Sequence, residues 1–243
     1  MSPATRFSRY AIYVIADPLQ PLFQRASRWL GWDCVAGRAV DHPTLDELAN
    51  PTGLHIHDVT AAPRKYGFHG TIKPPMKLAE GVDEDRLMQR VSDLATTLPS
   101  VQIDHLKLAR LGRFLALIPA TPTLSLQTLA STCVAELDDL RHPLSDAELA
   151  RRRQNGLTPR QDTLLQTYGY PYVFDEFRFH LTLTGQLDDP SADAAQAMLQ
   201  DWITPVLAQP FIIDRLAVAG EDRQTGQFHF IGWVPCKAPR TVI

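Results

Sequence analysis

Gly67-Phe68-His69-Gly70-Thr71-Ile72-Lys73 and Arg178-Phe179-His180-Leu181-Thr182-Leu183-Thr184 share one pattern, His-x-Thr within an apolar run. In an extended strand the side chains alternate between faces, so a histidine and the threonine two places on point the same way. Around the second motif the alternation is clean. Arg178, His180, Thr182 and Thr184 fall on one face, and Phe177, Phe179, Leu181 and Leu183 on the other. Two such strands facing each other set two imidazoles and two hydroxyls around one cavity. That group of side chains suits a phosphodiester, with one histidine as base, the other as acid, and the hydroxyls on the phosphoryl oxygens.

With eight histidines in the chain, composition alone yields on the order of one His-x-Thr. A third copy, His42-Pro43-Thr44, is set aside. Its proline opposes a central strand, and Thr44-Leu45-Asp46-Glu47 reads as a capping box that opens a short helix.

Outward from the two motifs the layout repeats. A helix over about 83–98 and a strand over 101–108 follow His69; a helix over about 191–207 and a strand over 211–218 follow His180. The Ile-Asp pair in those strands begins 34 residues after His69 and 33 after His180. Upstream, a strand over 10–16 and a helix over about 18–30 correspond to a strand over 113–119 and a helix over about 124–140. Gly112 and Gln224-Thr225-Gly226 mark hairpins, and residues 227–235 supply a last strand. The pattern predicts an α+β fold of mainly antiparallel sheets, with duplicated halves over about 9–110 and 113–220 around a central cleft, in one domain over 1–243. The segment over about 141–172 stands in the position of an inserted lid.

A chain of 243 residues, 44% hydrophobic and 21% charged, has the composition of an ordinary globular protein. It has no apolar run long enough to span a bilayer and no leader pattern in Met1 to Tyr10, which predicts a cytoplasmic protein. Cys34, Cys133 and Cys236 are too scattered for a disulfide framework or a zinc site. A formal net charge of −3 offers a long polyanion such as RNA no general attraction, whereas a small phosphorylated substrate needs only a local positive pocket. No membrane partner is expected, and the chain reads as a monomer.

These features together resemble the two-histidine (2H) phosphoesterase superfamily, which includes the LigT-like RNA ligases and cyclic phosphodiesterases. Within it the wording is similar to the branch of phosphonate-metabolism proteins. The matching stretches are Arg9 to Tyr13, Tyr66 to Lys73, Leu108 to Gly112, Leu157 to Gln161, Gly169 to Val173 and Phe177 to Gly185. The resemblance implies a bilobal LigT-like fold and a phosphodiesterase that needs neither metal nor cofactor. It acts on a small cyclic phosphate, a ribose cyclic phosphate where the phosphonate link holds. The motif residues carry over as the catalytic His69 and His180 and the phosphate-binding Thr71 and Thr182. RNA 2′,5′ ligation or RNA-end processing is the alternative reaction, and a non-catalytic module for nucleotides or phosphates the alternative of another class.

Opposite protonation states at His69 and His180 predict a bell-shaped pH dependence, with base and acid interchangeable at this level. Lys73 and Arg178 lie at even spacing from their histidines and are assigned to the same face as phosphate ligands. Tyr66, Tyr168, Tyr170 and Tyr172 supply aromatic surface for a sugar or base. The arginine-rich stretch 141–160 reads first as a solvated face and second as a basic cap over an anion. His55-Ile56-His57 lacks a third ligand at metal spacing. Gly70, small for an inward position, predicts a slight bend.

Overall fold

The computed structural model describes residues 6–48, 53–154 and 156–237. The first five residues of the stretch read for a leader lie outside them.

Tyr10, Ile12 and Val14 alternate with Ala11 and Tyr13 along β1 (Phe7–Val14), and both sets are buried, as in a strand covered on both faces. The first copy continues through α1 (Pro21–Leu30), a small ribbon of β2 (Trp32–Asp33) and β3 (Arg38–Ala39), and α2 (Ile56–Arg64). It then forms β4 (Gly70–Met76), α3 (Glu84–Ala95), β5 (Val101–Ile103) and β6 (Leu106–Leu111). Asp83 caps α3 by accepting the Arg86 amide, which ends the preceding loop.

The chain turns at Gly112 into the second copy, β7 (Phe114–Pro119) and α4 (Leu124–Glu136). The inserted segment forms α5 (Asp146–Arg153) and α6 (Pro159–Tyr168), each opened by a complete capping box, at Ser145 and Thr158. Then come β8 (Leu181–Thr182), α7 (Asp189–Ile203), β9 (Phe211–Ile213), β10 (Arg215–Asp222) and the last strand, β11 (Phe228–Pro235). The longer helices expected over 124–140 and 191–207 each end in a short 3-10 turn, at Asp138–Leu140 and Thr204–Val206.

Seven strands form one antiparallel sheet in the order β11-β10-β1-β4-β8-β7-β6. Without β11 the order is symmetric about the β4·β8 pair: β1 corresponds to β7, and β10 to β6. Off the main sheet β5 pairs with β9, Val101 opposite Ile213 and Ile103 opposite Phe211, so the two Ile-Asp strands meet at the same symmetry element. The duplication read from the 34- and 33-residue intervals is therefore physical. The halves share one sheet, and the two motif strands are neighbours in it rather than facing across a gap. The inward motif residues Phe68, Ile72, Leu181 and Leu183 join the main core, with α3, α4 and α7 packed on the sheet and α1 on α7. None of the described helices is long and apolar enough to cross a membrane.

Candidate active site

β4 and β8 meet at Gly70 opposite Leu181. One residue outward in each direction sets His69 beside Thr182 and Thr71 beside His180, so each histidine neighbours the other motif's threonine. Gly70 permits the contact. A Cβ there would lie 2.4 Å from Cε2 of Phe179, so the small residue makes room for an aromatic ring of the partner motif.

Both imidazoles are held alike. The Nδ1–H of His69 donates to the Gly67 carbonyl at 3.0 Å, and that of His180 to the Arg178 carbonyl at 2.7 Å. A carbonyl only accepts, so each ring carries its fixed hydrogen on Nδ1 and leaves Nε2 to exchange a proton. The Oγ1 of Thr71 stands 3.3 Å from Nε2 of His69.

The surroundings of the two rings differ. Tyr13 stacks at 4.0 Å between ring centroids and Tyr66 at 5.6 Å against His69, whereas His180 meets Phe114 at 5.7 Å. Burial pushes His69 down to about 4; the bond to the Gly67 carbonyl opposes this and positive charge at His180 adds to it. His69 is thus neutral at neutral pH.

A cleft of about 440 Å³ opens over His69 and both motif threonines, with His180 outside its lining and reached through Phe114 and Thr182 at its rim. It is lined by His69, Thr71 and Thr182, by Tyr13 and Arg9 of β1, by Tyr66 and Phe114, and by Arg152 and Tyr170 of the inserted segment. No carboxylate lines it among the described residues. A protein of net charge −3 therefore presents a locally cationic, aromatic-walled cleft of the size that encloses a small ligand.

Two expected ligands are elsewhere. Lys73 does not share the face of His69 and Thr71, because Tyr13 pairs with Thr71 while the adjacent Ile12 pairs with Lys73. The extra residue on β4 is a bulge that reverses the alternation. Lys73 is 2% exposed and donates to the Val134 carbonyl at 3.0 Å and to Asp138 at 3.3 Å. Arg178 precedes the two residues of regular β8, so strand alternation does not govern it. Its guanidinium donates to the carbonyls of Asp175 and Phe177 and lines a separate cavity with Phe177 and Phe179. Of the tyrosines, Tyr66 and Tyr170 line the cleft, Tyr168 packs on Phe174 and borders a neighbouring pocket, and Tyr172 is exposed beside Tyr170.

Arg9, Tyr13 and Arg152 were not singled out by sequence reasoning. The alternation Arg9-x-Ala11-x-Tyr13 was visible, but the strand beside β1 decides what that face meets. His42 of the discarded motif bonds the Trp29 carbonyl and Arg64, far from any role in the pair. Among the described residues no group of three or more His, Cys, Asp or Glu side chains could hold a metal ion. Cys34 and Cys133 are buried, and burial pushes each thiol up to about 12.

An antiparallel sheet whose central strand pair carries the two His-x-Thr motifs, between duplicated halves, is the architecture that the resemblance to two-histidine phosphoesterases implies. The chain belongs to the family described as "Protein of unknown function (DUF1045)", whose model matches residues 71–229. It is 36% identical over 219 residues to a Janthinobacterium sp. (strain Marseille) protein named ribose 1,5-bisphosphate phosphokinase PhnN, covering 88% of this chain and 48% of that one. A Laribacter hongkongensis (strain HLHK9) protein of the same name is 35% identical over 181 residues, covering 74% and 41%. The chain thus spans about half the length of the curated relatives it matches. Among solved structures it is similar to E. coli LigT complexed with NADP+, at 12% identity and a TM-score of 0.48, over 96% of this chain and 99% of that one.

Proposed function

We propose that the protein is a phosphodiesterase that opens a small cyclic phosphate by acid/base catalysis between two histidines, without a metal. The observation that carries this reading is the matched anchoring of both Nδ1 atoms on backbone carbonyls two residues upstream, which leaves both Nε2 atoms to exchange protons, that of His69 beside the Thr71 hydroxyl. Neutral His69 acts as base. Its Nε2 takes a proton from water as the water oxygen bonds to phosphorus; the bond from phosphorus to the ring oxygen breaks, and Nε2–H of His180 gives its proton to that leaving oxygen. Thr71 and Thr182 donate to the nonbridging oxygens as charge builds on them. The product is a phosphomonoester and a free hydroxyl.

The relatives' name supports a phosphorylated ribose as the sugar of the substrate. The kinase activity in that name does not transfer: no glycine is followed by lysine anywhere in the chain, so it holds no glycine-rich loop of the G-x-x-x-x-G-K-[ST] type. Turnover of a panel of cyclic phosphates in excess chelator tests the proposal, with His69→Ala and His180→Ala as controls. Activity in the wild type that both variants lose is expected. Loss on chelation overturns the metal-free mechanism, and binding without turnover across the panel favours a non-catalytic module.

A further inference from the structure

Two arginines reach the cleft, Arg9 from β1 and Arg152 from α5. Many arginines elsewhere pair with carboxylates, among them Arg28 with Glu47, Arg90 with Asp139, Arg153 with Asp162, and Arg160 with Asp175. Arg152 is the exception within this cleft. It is partly buried, forms no ion pair among the described residues, and its Nε is enclosed with no hydrogen-bond partner. Its one marked contact is with the Tyr170 ring, 5.7 Å from guanidinium carbon to centroid. Arg9 spends Nε and Nη2 on Glu221, each at 2.6 Å, which fixes the fork and leaves Nη1 uncommitted. The hydroxyl of Tyr13, on a residue 1% exposed, also has no hydrogen-bond partner among the described residues, and Tyr13 lines the same cleft. The two guanidiniums lie near enough that the charge of Arg9 adds to the burial that already disfavours charge on Arg152. An unpaired, partly buried guanidinium and an unpaired buried hydroxyl are costly unless an anion joins them.

We propose that Arg9, Arg152 and the Tyr13 hydroxyl form a second anion subsite, which takes a phosphomonoester group carried by the substrate separately from its cyclic phosphodiester. The proposal rests on the phosphodiesterase reading and narrows it. The substrate class becomes a small cyclic phosphate bearing a second, terminal phosphate, held at one end by guanidiniums and cut at the other between the histidines. Tyr66 and Tyr170 flank the connecting sugar. A bounded cleft in a protein of net negative charge favours this over an RNA chain.

The test compares kcat/KM for adenosine 2′,3′-cyclic phosphate with and without a 5′-phosphate, in wild type, Arg152→Gln and Arg152→Lys, with thermal melts to confirm folding. The expected wild-type preference for the phosphorylated compound is about 10- to 100-fold, the range of hydrogen bonds to a charged group, expressed mainly in KM. Arg152→Gln brings that ratio close to one, and Arg152→Lys, which keeps the charge and loses the fork, gives an intermediate ratio. Turnover of both compounds at equal kcat/KM in the wild type overturns the subsite and leaves the phosphodiesterase reading standing. If neither compound turns over, pyrophosphate binding by calorimetry decides. Binding weakened at least tenfold in Arg152→Gln supports the subsite while the phosphodiesterase reading falls, and equal binding in both proteins overturns the subsite as well. A preference for oligonucleotides ending in a cyclic phosphate, falling steeply with salt, overturns the small-molecule form of the proposal.

Discussion

Acidification from pH 7.5 to 4 should draw a measurable part of the protein's stability out of one side chain, His69. An imidazole in the unfolded chain titrates near 6.5, and burial beneath Tyr13 and Tyr66 pushes the folded value down to about 4. Between those two values the unfolded chain binds the proton that the folded protein refuses, so stability falls as pH falls through this window. Each pH unit is worth about 1.4 kcal/mol, so about 2 kcal/mol is lost by pH 5 and on the order of 3 kcal/mol by pH 4. Glu47, Glu148 and Asp222, each held down to about 2 by hydrogen bonds or ion pairs, lose their contributions as pH falls from the ordinary carboxylate range toward 2, so they begin to act only at the acid end of this window. His42 and His229 are lowered by burial and act in the same direction as His69. The difference between wild type and His69→Gln therefore isolates the term. Urea unfolding followed by tryptophan fluorescence at several pH values gives that difference, and the Cε1–H chemical shift of His69 gives the folded value directly. A His69 that titrates at or above 6.5, or a pH slope unchanged in His69→Gln, refutes the reasoning.

Tyr13→Ala should move the His69 titration upward and carry the acid limb of kcat/KM with it, because the ring that keeps the imidazole dry is gone; an unmoved limb would separate Tyr13 from the base. Gly70→Ala sets a methyl 2.4 Å from the Phe179 ring and should cost about 1–3 kcal/mol in denaturant unfolding. That cost should shrink when Phe179→Leu is added, and strict additivity would count against the contact. Asp138→Asn leaves the buried Lys73 ammonium without its carboxylate and should lose about 3 kcal/mol, against about 1 kcal/mol for Lys73→Met, which removes the charge altogether. Equal losses would disprove that explanation. Trp29→Phe strips the Leu183 carbonyl of its buried donor, a bond of 2.9 Å beside the second motif, and should cost about 1–3 kcal/mol by thermal or denaturant unfolding.

What could be read from the amino acids alone followed how local each feature is. The two motifs, the matched intervals and the helices are written in periodicity, and periodicity survives folding wherever the element is regular. Lys73 and Arg178 were misplaced where regularity stops: one sits past a bulge, the other before a strand only two residues long. Arg152 lay inside Arg151-Arg152-Arg153, a run that reads as a solvated face. Three consecutive helical residues point in three directions, and only the tertiary arrangement decides which one meets the cleft: Arg153 pairs with Asp162, Arg151 is exposed, and Arg152 lines the cleft. Tyr13 was legible as a strand residue but not as a partner of His69, since that depends on β1 lying next to β4.

The same adjacency settles a question that the duplication raises. Symmetric halves make His69 and His180 equivalent, and an acid/base pair requires them to differ. The register shows where the equivalence fails. Tyr13 of β1 stands opposite Thr71, and its counterpart on β7, opposite Thr182, is Ala116. A phenol stacks on one histidine from that position; a methyl stands there in the other half, where the aromatic contact of His180 is with Phe114 instead. Tyr13 thus adds to the burial that keeps His69 neutral, and no tyrosine holds the corresponding place in the other half. On the proposed two-histidine reading, this difference between two β-strands gives the site its chemical polarity, and the duplicated motifs need not differ to perform opposite halves of a proton transfer. Arg9 and Tyr13 of β1 both line the cleft, so in the proposed reading the strand beside the base also supplies one arm of the anion subsite.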